Sequence, residues 1–419
     1  MKNGIKIVLS VMVASCMLMA CQDKKPVKGA DKMPRSEKRG VAFSLTRSDD
    51  LSLLCPYISW DYNWGNDATS DAAMWFQVYN VDFCPMCWSG SYSKDKIRKF
   101  VAANPSTKYL LGFNEPNLKD QANMTPDQAA ALWPDVVALA HDLGLKLVAP
   151  AMNYGTLEGY SDPIKWLDEF FAKPGVNLSE ISALSLHCYM KSPAAVKSYI
   201  ERFAKYNKPI WLTEFCAWDG GVSNVEQQMS YMCSVLNYLE QEAAVERYAW
   251  FIPRYKTPET EPYMQLLTNA PDIKLTDLGQ MYTQFSTFDK NTFLTNNRYI
   301  YGGEYVSTSD MNVQVRPCKD AIVGMDGLMI TSFNEGVKIN YQVAVAEDAT
   351  ELELRYTSYS NTIMKVTIDG KDDFLEMPRT GSLDTWQSAA QKKVIPAGNH
   401  TLTIELISGT CYISGLMIK

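Results

Sequence analysis

Short apolar runs alternate with longer stripes of 3.6-residue period through residues 40–288. Eight of the runs have the length and composition of buried parallel strands: 41–43, 57–62, 74–79, 109–114, 145–149, 181–187, 210–214 and 247–252. The stripes between them carry helix signals. Thr125-Pro126-Asp127 supplies an N-cap and a first-turn proline. Ala129, Leu132, Trp133, Val136, Val137 and Ala140 then repeat at helical spacing, and Leu143-Gly144 closes the segment. Similar stripes run through 195–206 and 225–239. Strands alternating with helices predict an α/β fold with a parallel sheet. Eight strands in about 250 residues predict a (β/α)8 TIM barrel over 41–288.

The period changes after Phe288. Val337, Ile339, Tyr341, Val343 and Val345 alternate with polar residues, as do Leu352, Leu354 and Tyr356, then Met364, Val366 and Ile368, then Leu402, Ile404 and Leu406. Asp369-Gly370 and Ala397-Gly398-Asn399 mark turns. Residues 299–419 therefore predict an all-β sandwich or jelly roll.

The first forty residues belong to neither pattern. Lys2 and Lys6 precede an uncharged apolar stretch, 7–20, too short for a comfortable membrane span. Its end, Leu18-Met19-Ala20-Cys21, resembles a bacterial lipoprotein signal, with residues 1–20 removed and Cys21 lipidated; an ordinary secretory signal is the alternative. Residues 21–40 are rich in Lys and Asp and poor in large apolar groups, so a flexible tether is expected. The expected location is the outer membrane or cell surface, with the periplasm open, and membrane contact is expected through the lipid alone.

The chain has 419 residues, 46% of them hydrophobic, and a net charge of −7. That size needs more than one core. Without a basic stripe, a nucleic-acid partner is not expected. Besides Cys16 and Cys21 there are eight cysteines, whose pairing spacing cannot decide. Cys84-Pro85-Met86-Cys87 lacks both a thioredoxin-like context and a second CxxC, so its expected role is structural. No metal-ligand spacing is evident, and neither a metal nor a cofactor is expected.

Two of the strand-like runs end on a glutamate: Gly112-Phe113-Asn114-Glu115-Pro116-Asn117 and Pro209-Ile210-Trp211-Leu212-Thr213-Glu214-Phe215. By strand count these acids end strands four and seven, and carboxylates at strand ends point into the mouth of such a barrel. Either one alone could be a structural ion-pair partner. Together they form the pair that glycosidic hydrolysis requires, one acid protonating the leaving oxygen and the other attacking the sugar carbon.

Leu110–Asn117, Ala151-Met152, Trp166-Leu167, Ser185-Leu186-His187-Cys188-Tyr189, Trp211–Phe215, Trp250-Phe251 and Leu275-Thr276-Asp277-Leu278-Gly279 resemble glycoside hydrolase family 128, over roughly 41–288. Asp277 stands where that family usually has proline. The resemblance implies a retaining, endo-acting β-1,3-glucanase, with Glu115 as acid/base and Glu214 as nucleophile. It also implies that Asn114 hydrogen-bonds the sugar 2-hydroxyl. Glu115 should hold a proton near neutrality, with its pKa raised by apolar walls or by Glu214. His187 and Tyr189 end strand six within possible reach of Glu214, and His187 is expected to orient Glu214 or donate to sugar. Trp60, Tyr62, Trp64, Tyr154, Trp218, Trp250 and Phe251 fall at strand ends, with Trp218 and Trp250 the best candidates for sugar contact.

In the second module, Glu304, the run 337–345, Ile368-Asp369-Gly370, Trp386, Pro396-Ala397-Gly398 and His400-Thr401-Leu402 resemble a family 6 carbohydrate-binding module. That implies a sugar platform at Trp386, with a purely structural sandwich as the alternative. The family's sugar-contacting asparagine is not evident in Gly409–Ile413. Cys318 and Cys411 could meet if the first and last strands are neighbours. The expected partner is a β-glucan polysaccharide or oligosaccharide, bound by a monomer. Rival readings are a non-catalytic glycan-binding lipoprotein, or the same enzyme acting on another β-linked glucan.

Overall fold

The computed structural model describes residues 27–219, 221–255 and 262–419. Eight parallel strands form one curled sheet: β1 (Arg39–Ala42), β2 (Trp60–Tyr62), β3 (Asp82–Phe83), β4 (Tyr109–Leu111), β5 (Lys146–Met152), β6 (Ile181–Met190), β7 (Ile210–Asp219) and β8 (Val245–Trp250). Their order is β3-β2-β1-β8-β7-β6-β5-β4. The gap between β3 and β4 is spanned by a parallel Met86–Leu111 bridge, in which Cys87 N donates to Leu111 O and Leu111 N to Pro85 O, both at 2.9 Å. Helices α1 (Ser48–Leu54), α2 (Ser70–Tyr79), α3 (Lys94–Ala103), α4 (Pro126–Leu143), α5 (Pro163–Phe171), α6 (Pro193–Glu201), α7 (Val225–Gln241) and α8 (Asp277–Gln284) complete a TIM-like α/β unit.

Seven of the eight expected strands have counterparts; the run 74–79 does not. It lies in α2, capped by Thr69, whose side chain accepts from Ala72 N, and closed by Asn80 in the left-handed conformation. Ala72, Ala73 and Phe76 pack inward while Met74 and Val78 are 58% and 73% exposed, so the apolar residues there follow helical spacing on two faces. The third strand is the two-residue β3 just beyond. Asp277, the departure from the family pattern, opens α8 behind the Thr276 cap, where a negative charge suits the helix N-terminus. Gly279 is required there, because a Cβ would lie 1.9 Å from Leu266 O.

The expected tether is packed from residue 27 onward. Thr295 N donates to Ala30 O (2.9 Å), and Arg35 donates to Tyr79 O (2.7 Å) and Asn80 O (3.0 Å) beyond α2. Lys38 Nζ donates to Leu239 O and Glu242 O, both at 2.9 Å, at the end of α7. Basic side chains here satisfy carbonyls that helix ends leave unpaired, a role that composition alone does not reveal. Residues 1–20 and Cys21 lie outside the described residues. Among the described residues, no helix is long and apolar enough to cross a membrane.

The carboxyl-terminal region forms two six-stranded sheets. One contains Gln314–Pro317, Leu328–Ser332, Tyr412–Ile418, Ala349–Thr357 and Gln387–Ile395, with Ile300–Tyr301. The other contains Ser307–Thr308, Lys338–Val345, Gly398–Ser408, Thr362–Ile368 and Lys371–Met377, with Leu294–Thr295. Ile339, Tyr341, Val343, Leu354, Met364 and Ile404 fill the space between them. Cys318 and Cys411 are buried thiols and are not joined.

The sandwich seats on α7. Asn237 Nδ2 donates to Met311 O (3.0 Å) and Val313 O (2.8 Å), while Tyr305 OH donates to Asn237 Oδ1 (2.8 Å). Arg316 Nε donates to Glu226 Oε1 at 2.7 Å.

Candidate active site

The end of β4 is tied to both neighbours: Asn114 N donates to Trp88 O (2.8 Å) and Glu115 N to Ala151 O (3.0 Å). Glu115 itself has φ = 44°. A non-glycine residue in the left-handed region carries strain that the surrounding bonds must hold, a condition that gathers at functional sites. Glu214 lies within the ten-residue β7, in register with His187 of β6. Both glutamates are buried.

His187 stands between them. Its Nδ1 lies 2.9 Å from Glu115 Oε1 and 3.4 Å from Glu214 Oε2. The expected partner was Glu214; although the register pairs His187 with Glu214, the hydrogen bond goes to Glu115, and Glu214 is the more distant of the two contacts. Glu115 Oε1 also accepts from Asn153 Nδ2 at 3.0 Å. Among the described residues, its Oε2 carries no partner. Glu214 is held on both oxygens: Oε1 accepts from Tyr62 OH (2.8 Å) and Trp64 Nε1 (2.7 Å), and Oε2 accepts from Tyr189 OH.

The charges follow from this arrangement. Burial pushes the Glu115 carboxyl up, but the charge and hydrogen bond of His187, with the Asn153 bond, outweigh it and leave Glu115 below the usual range. Burial pulls His187 down, while Glu214 and Glu115 more than compensate and raise it. The expectation of a raised Glu115 is therefore corrected for the resting site, where His187 and Asn153 favour the carboxylate. Burial, with Glu214 beside them, raises Tyr62 and Tyr189 well above the ordinary phenol value, so both stay protonated donors.

The other expected residues divide. Tyr189 is half-buried and bonded to Glu214. Trp218 is half-buried, its ring 6.0 Å from Tyr189, 5.8 Å from Phe251 and 5.6 Å from Tyr255. Asn114 is buried; its Nδ2 donates to Gln121 Oε1 (3.2 Å) and its Oδ1 has no partner. Trp250 is corrected: it is fully buried, with Nε1 bonded to Met264 O (2.8 Å) and its ring against Phe215 and Tyr282. Side chains alternate along a strand, so Phe251 faces the mouth where Trp250 faces the helices. Trp60 is also core. Trp386 lies in the sandwich, half-buried just before the strand Gln387–Ile395, on a different unit from the glutamates.

Sequence reasoning missed Asn153 and Gln121, and took Tyr62 and Trp64 for stacking surfaces rather than donors. Asn153 had a signal: a polar residue directly after the apolar run of strand five, in the position that Asn114 holds on strand four.

A barrel with paired buried carboxylates, one just beyond β4 and one within β7, is the architecture of a glycoside hydrolase. A family model described as "Glycosyl hydrolase catalytic core" matches residues 40–282, and the chain belongs to that family; more narrowly, its barrel is a GH128 catalytic domain. A solved GH128 (subgroup II) endo-β-1,3-glucanase from Pseudomonas viridiflava is 38% identical, over 60% of this chain and 98% of that one, with a TM-score of 0.54. Another from Sorangium cellulosum is 32% identical, over 59% and 97%, with a TM-score of 0.52. "Alkali-sensitive linkage protein 1" of Schizosaccharomyces pombe is 26% identical over 231 residues, 52% of this chain but 39% of that protein. This chain therefore spans well under half of that relative's length.

Proposed function

We propose that this glycoside hydrolase cleaves β-1,3-glucan within the chain by double displacement, with Glu214 as nucleophile and Glu115 as acid/base. One observation carries the mechanism: a single nitrogen, His187 Nδ1, contacts an oxygen of each carboxyl. Those oxygens are then no further apart than the sum of 2.9 and 3.4 Å, inside the roughly 6.5 Å at which inverting pairs begin. Substrate and endo action rest on the two subgroup II relatives, both endo-β-1,3-glucanases by name.

In the first step a Glu214 oxygen attacks the anomeric carbon. Glu115, carrying its proton on Oε2 because His187 and Asn153 occupy Oε1, protonates the glycosidic oxygen as its bond to the anomeric carbon breaks, and the leaving sugar departs as an alcohol. In the second step ionised Glu115 takes a proton from water, which displaces Glu214 and restores the starting configuration. Tyr62, Trp64 and Tyr189 stabilise the departing Glu214 carboxylate. The unpartnered Asn114 Oδ1 is available to the sugar 2-hydroxyl, and Trp218 with Phe251 offers the apolar face a sugar ring packs against.

Glu214→Ala should abolish turnover on every β-glucan, and added azide should restore it with a product of inverted configuration. Glu115→Ala should keep its first step on substrates with good leaving groups while polymer cleavage collapses. Polymer cleavage by Glu214→Ala would remove this pair from the mechanism. A product profile across β-1,3-, mixed-linkage and other β-glucans tests the substrate.

A further inference from the structure

Trp88, which the mechanism above leaves unused, follows β3 on a stretch that runs on beside β4: Cys87 N donates to Leu111 O (2.9 Å) and Asn114 N to Trp88 O (2.8 Å). Side chains alternate along this stretch. Cys87 joins the core outside the sheet, whereas Cys84 and Met86 join the cluster inside the barrel, to which Ala42, Tyr62, Leu111 and Ala249 also belong. Trp88 continues the inward set. Its half-buried side chain packs on that inner cluster, as do those of Trp64 and Phe251. Trp64 donates to Glu214, so this layer closes the interior at the mouth. The rings of Trp64 and Phe251 lie 5.9 Å apart and abut further rings. Among the described residues, the Trp88 ring meets no other ring and its indole N–H has no acceptor, so an aromatic face and a donor remain open to the mouth.

Asn114 points the same way: it bridges Ala151, a member of the inner cluster, and its Oδ1 is buried without a partner. Asn153 and His187, which hold Glu115, lie on the β5–β6 side of Asn114, and Trp88 lies on its β3 side. An attacked glucosyl unit whose 2-hydroxyl meets Asn114 turns C1 toward the glutamates. Its C3, on the opposite flank of C2, is then turned toward Trp88. In a β-1,3-glucan the preceding unit is joined through O3. We propose that Trp88 is the platform for that preceding glucosyl unit, its flat face packing against the sugar ring. This rests on the roles given above to Glu115, Glu214 and Asn114.

The test compares kcat/KM on β-laminaribiosyl fluoride with kcat/KM on β-glucosyl fluoride, which differ only in the preceding unit and carry no leaving sugar. Wild-type enzyme should prefer the longer fluoride. Trp88→Ala should lower that ratio roughly tenfold or more, because only one substrate loses a stacked ring. Trp88→Leu, which keeps apolar contact with the inner cluster but has no flat face, should lower it similarly. Poor folding lowers both activities together and cannot mimic a fall in the ratio. An unchanged ratio in either variant overturns the platform, as does a wild-type enzyme with no preference between the two fluorides. Failure of the underlying reading looks different: wild-type enzyme would then hydrolyse neither fluoride, or would lose nothing in Glu214→Ala.

Discussion

His187 has more work than orienting a neighbour. With Nδ1 shared between two carboxylates, its protonated form is favoured in a site that holds two buried acids. Its pKa is raised, so this proton is present below the ordinary value of 6.5 and is lost as pH rises through the raised value. The basic limb of kcat/KM should therefore lie above about 6.5. In His187→Asn the proton has only Glu115 to rest on, and that limb should move down by about one unit or more. A pH–rate profile decides it; an unmoved limb would mean that His187 holds no catalytic proton. Asn153→Ala acts in the opposite sense on the carboxyl. Losing a bond that lowers Glu115 should raise its pKa, which carboxyl titration would read as an upward shift.

At the scale of elements, α7 is the piece on which both halves depend. Most of its residues from Gln228 to Glu240 are buried, because one face packs on the barrel and another receives the sandwich. Asn237 sits at that second face and satisfies two carbonyls and one hydroxyl from across the contact. Asn237→Ala leaves those groups without partners in a dry interface and should cost about 3 kcal/mol. Denaturant unfolding would measure it, and a change below about 0.5 kcal/mol would mean that water replaces the amide. A helix buried all round also explains why its pattern reads as an ordinary barrel helix: the second apolar face is indistinguishable from the first in sequence.

For the whole molecule, this contact changes what the barrel can do alone. A chain ending at 288 looks autonomous by length and pattern. Cutting there uncovers the α7 face that carries Cys233 and Asn237, both fully buried in the intact protein and both in contact with Val313 of the sandwich. Such a fragment should be aggregation-prone or markedly less stable, and a soluble monomeric fragment melting within a few degrees of the full chain would refute this. Membrane attachment is a separate matter that rests on Leu18–Cys21 alone. Cys21→Ala should release the protein from the membrane fraction or block its processing; fractionation like wild type would end the lipoprotein reading.

The sequence by itself determined the class of fold and the chemical pair. Parallel strands buried on both faces read as apolar runs, and an acid at the close of such a run stands out, so Glu115 and Glu214 were legible from one-dimensional pattern, although β7 runs on past Glu214 to Asp219. The sandwich was legible for the same reason, since period two survives in any half-buried strand. Tertiary structure decided everything that depends on which strand neighbours which. That His187 bonds Glu115, that Tyr62 and Trp64 donate to Glu214, and that Asn153 completes the acid's setting are facts of barrel closure, not of local pattern. Trp250 and Phe251 show the limit at its sharpest. Adjacent aromatics are equal in composition, and only the strand's orientation in the closed barrel sends one into the core and the other to the mouth. The stretch 27–40 fails for a related reason: its basic residues bind carbonyls at helix ends that exist only once the barrel has formed.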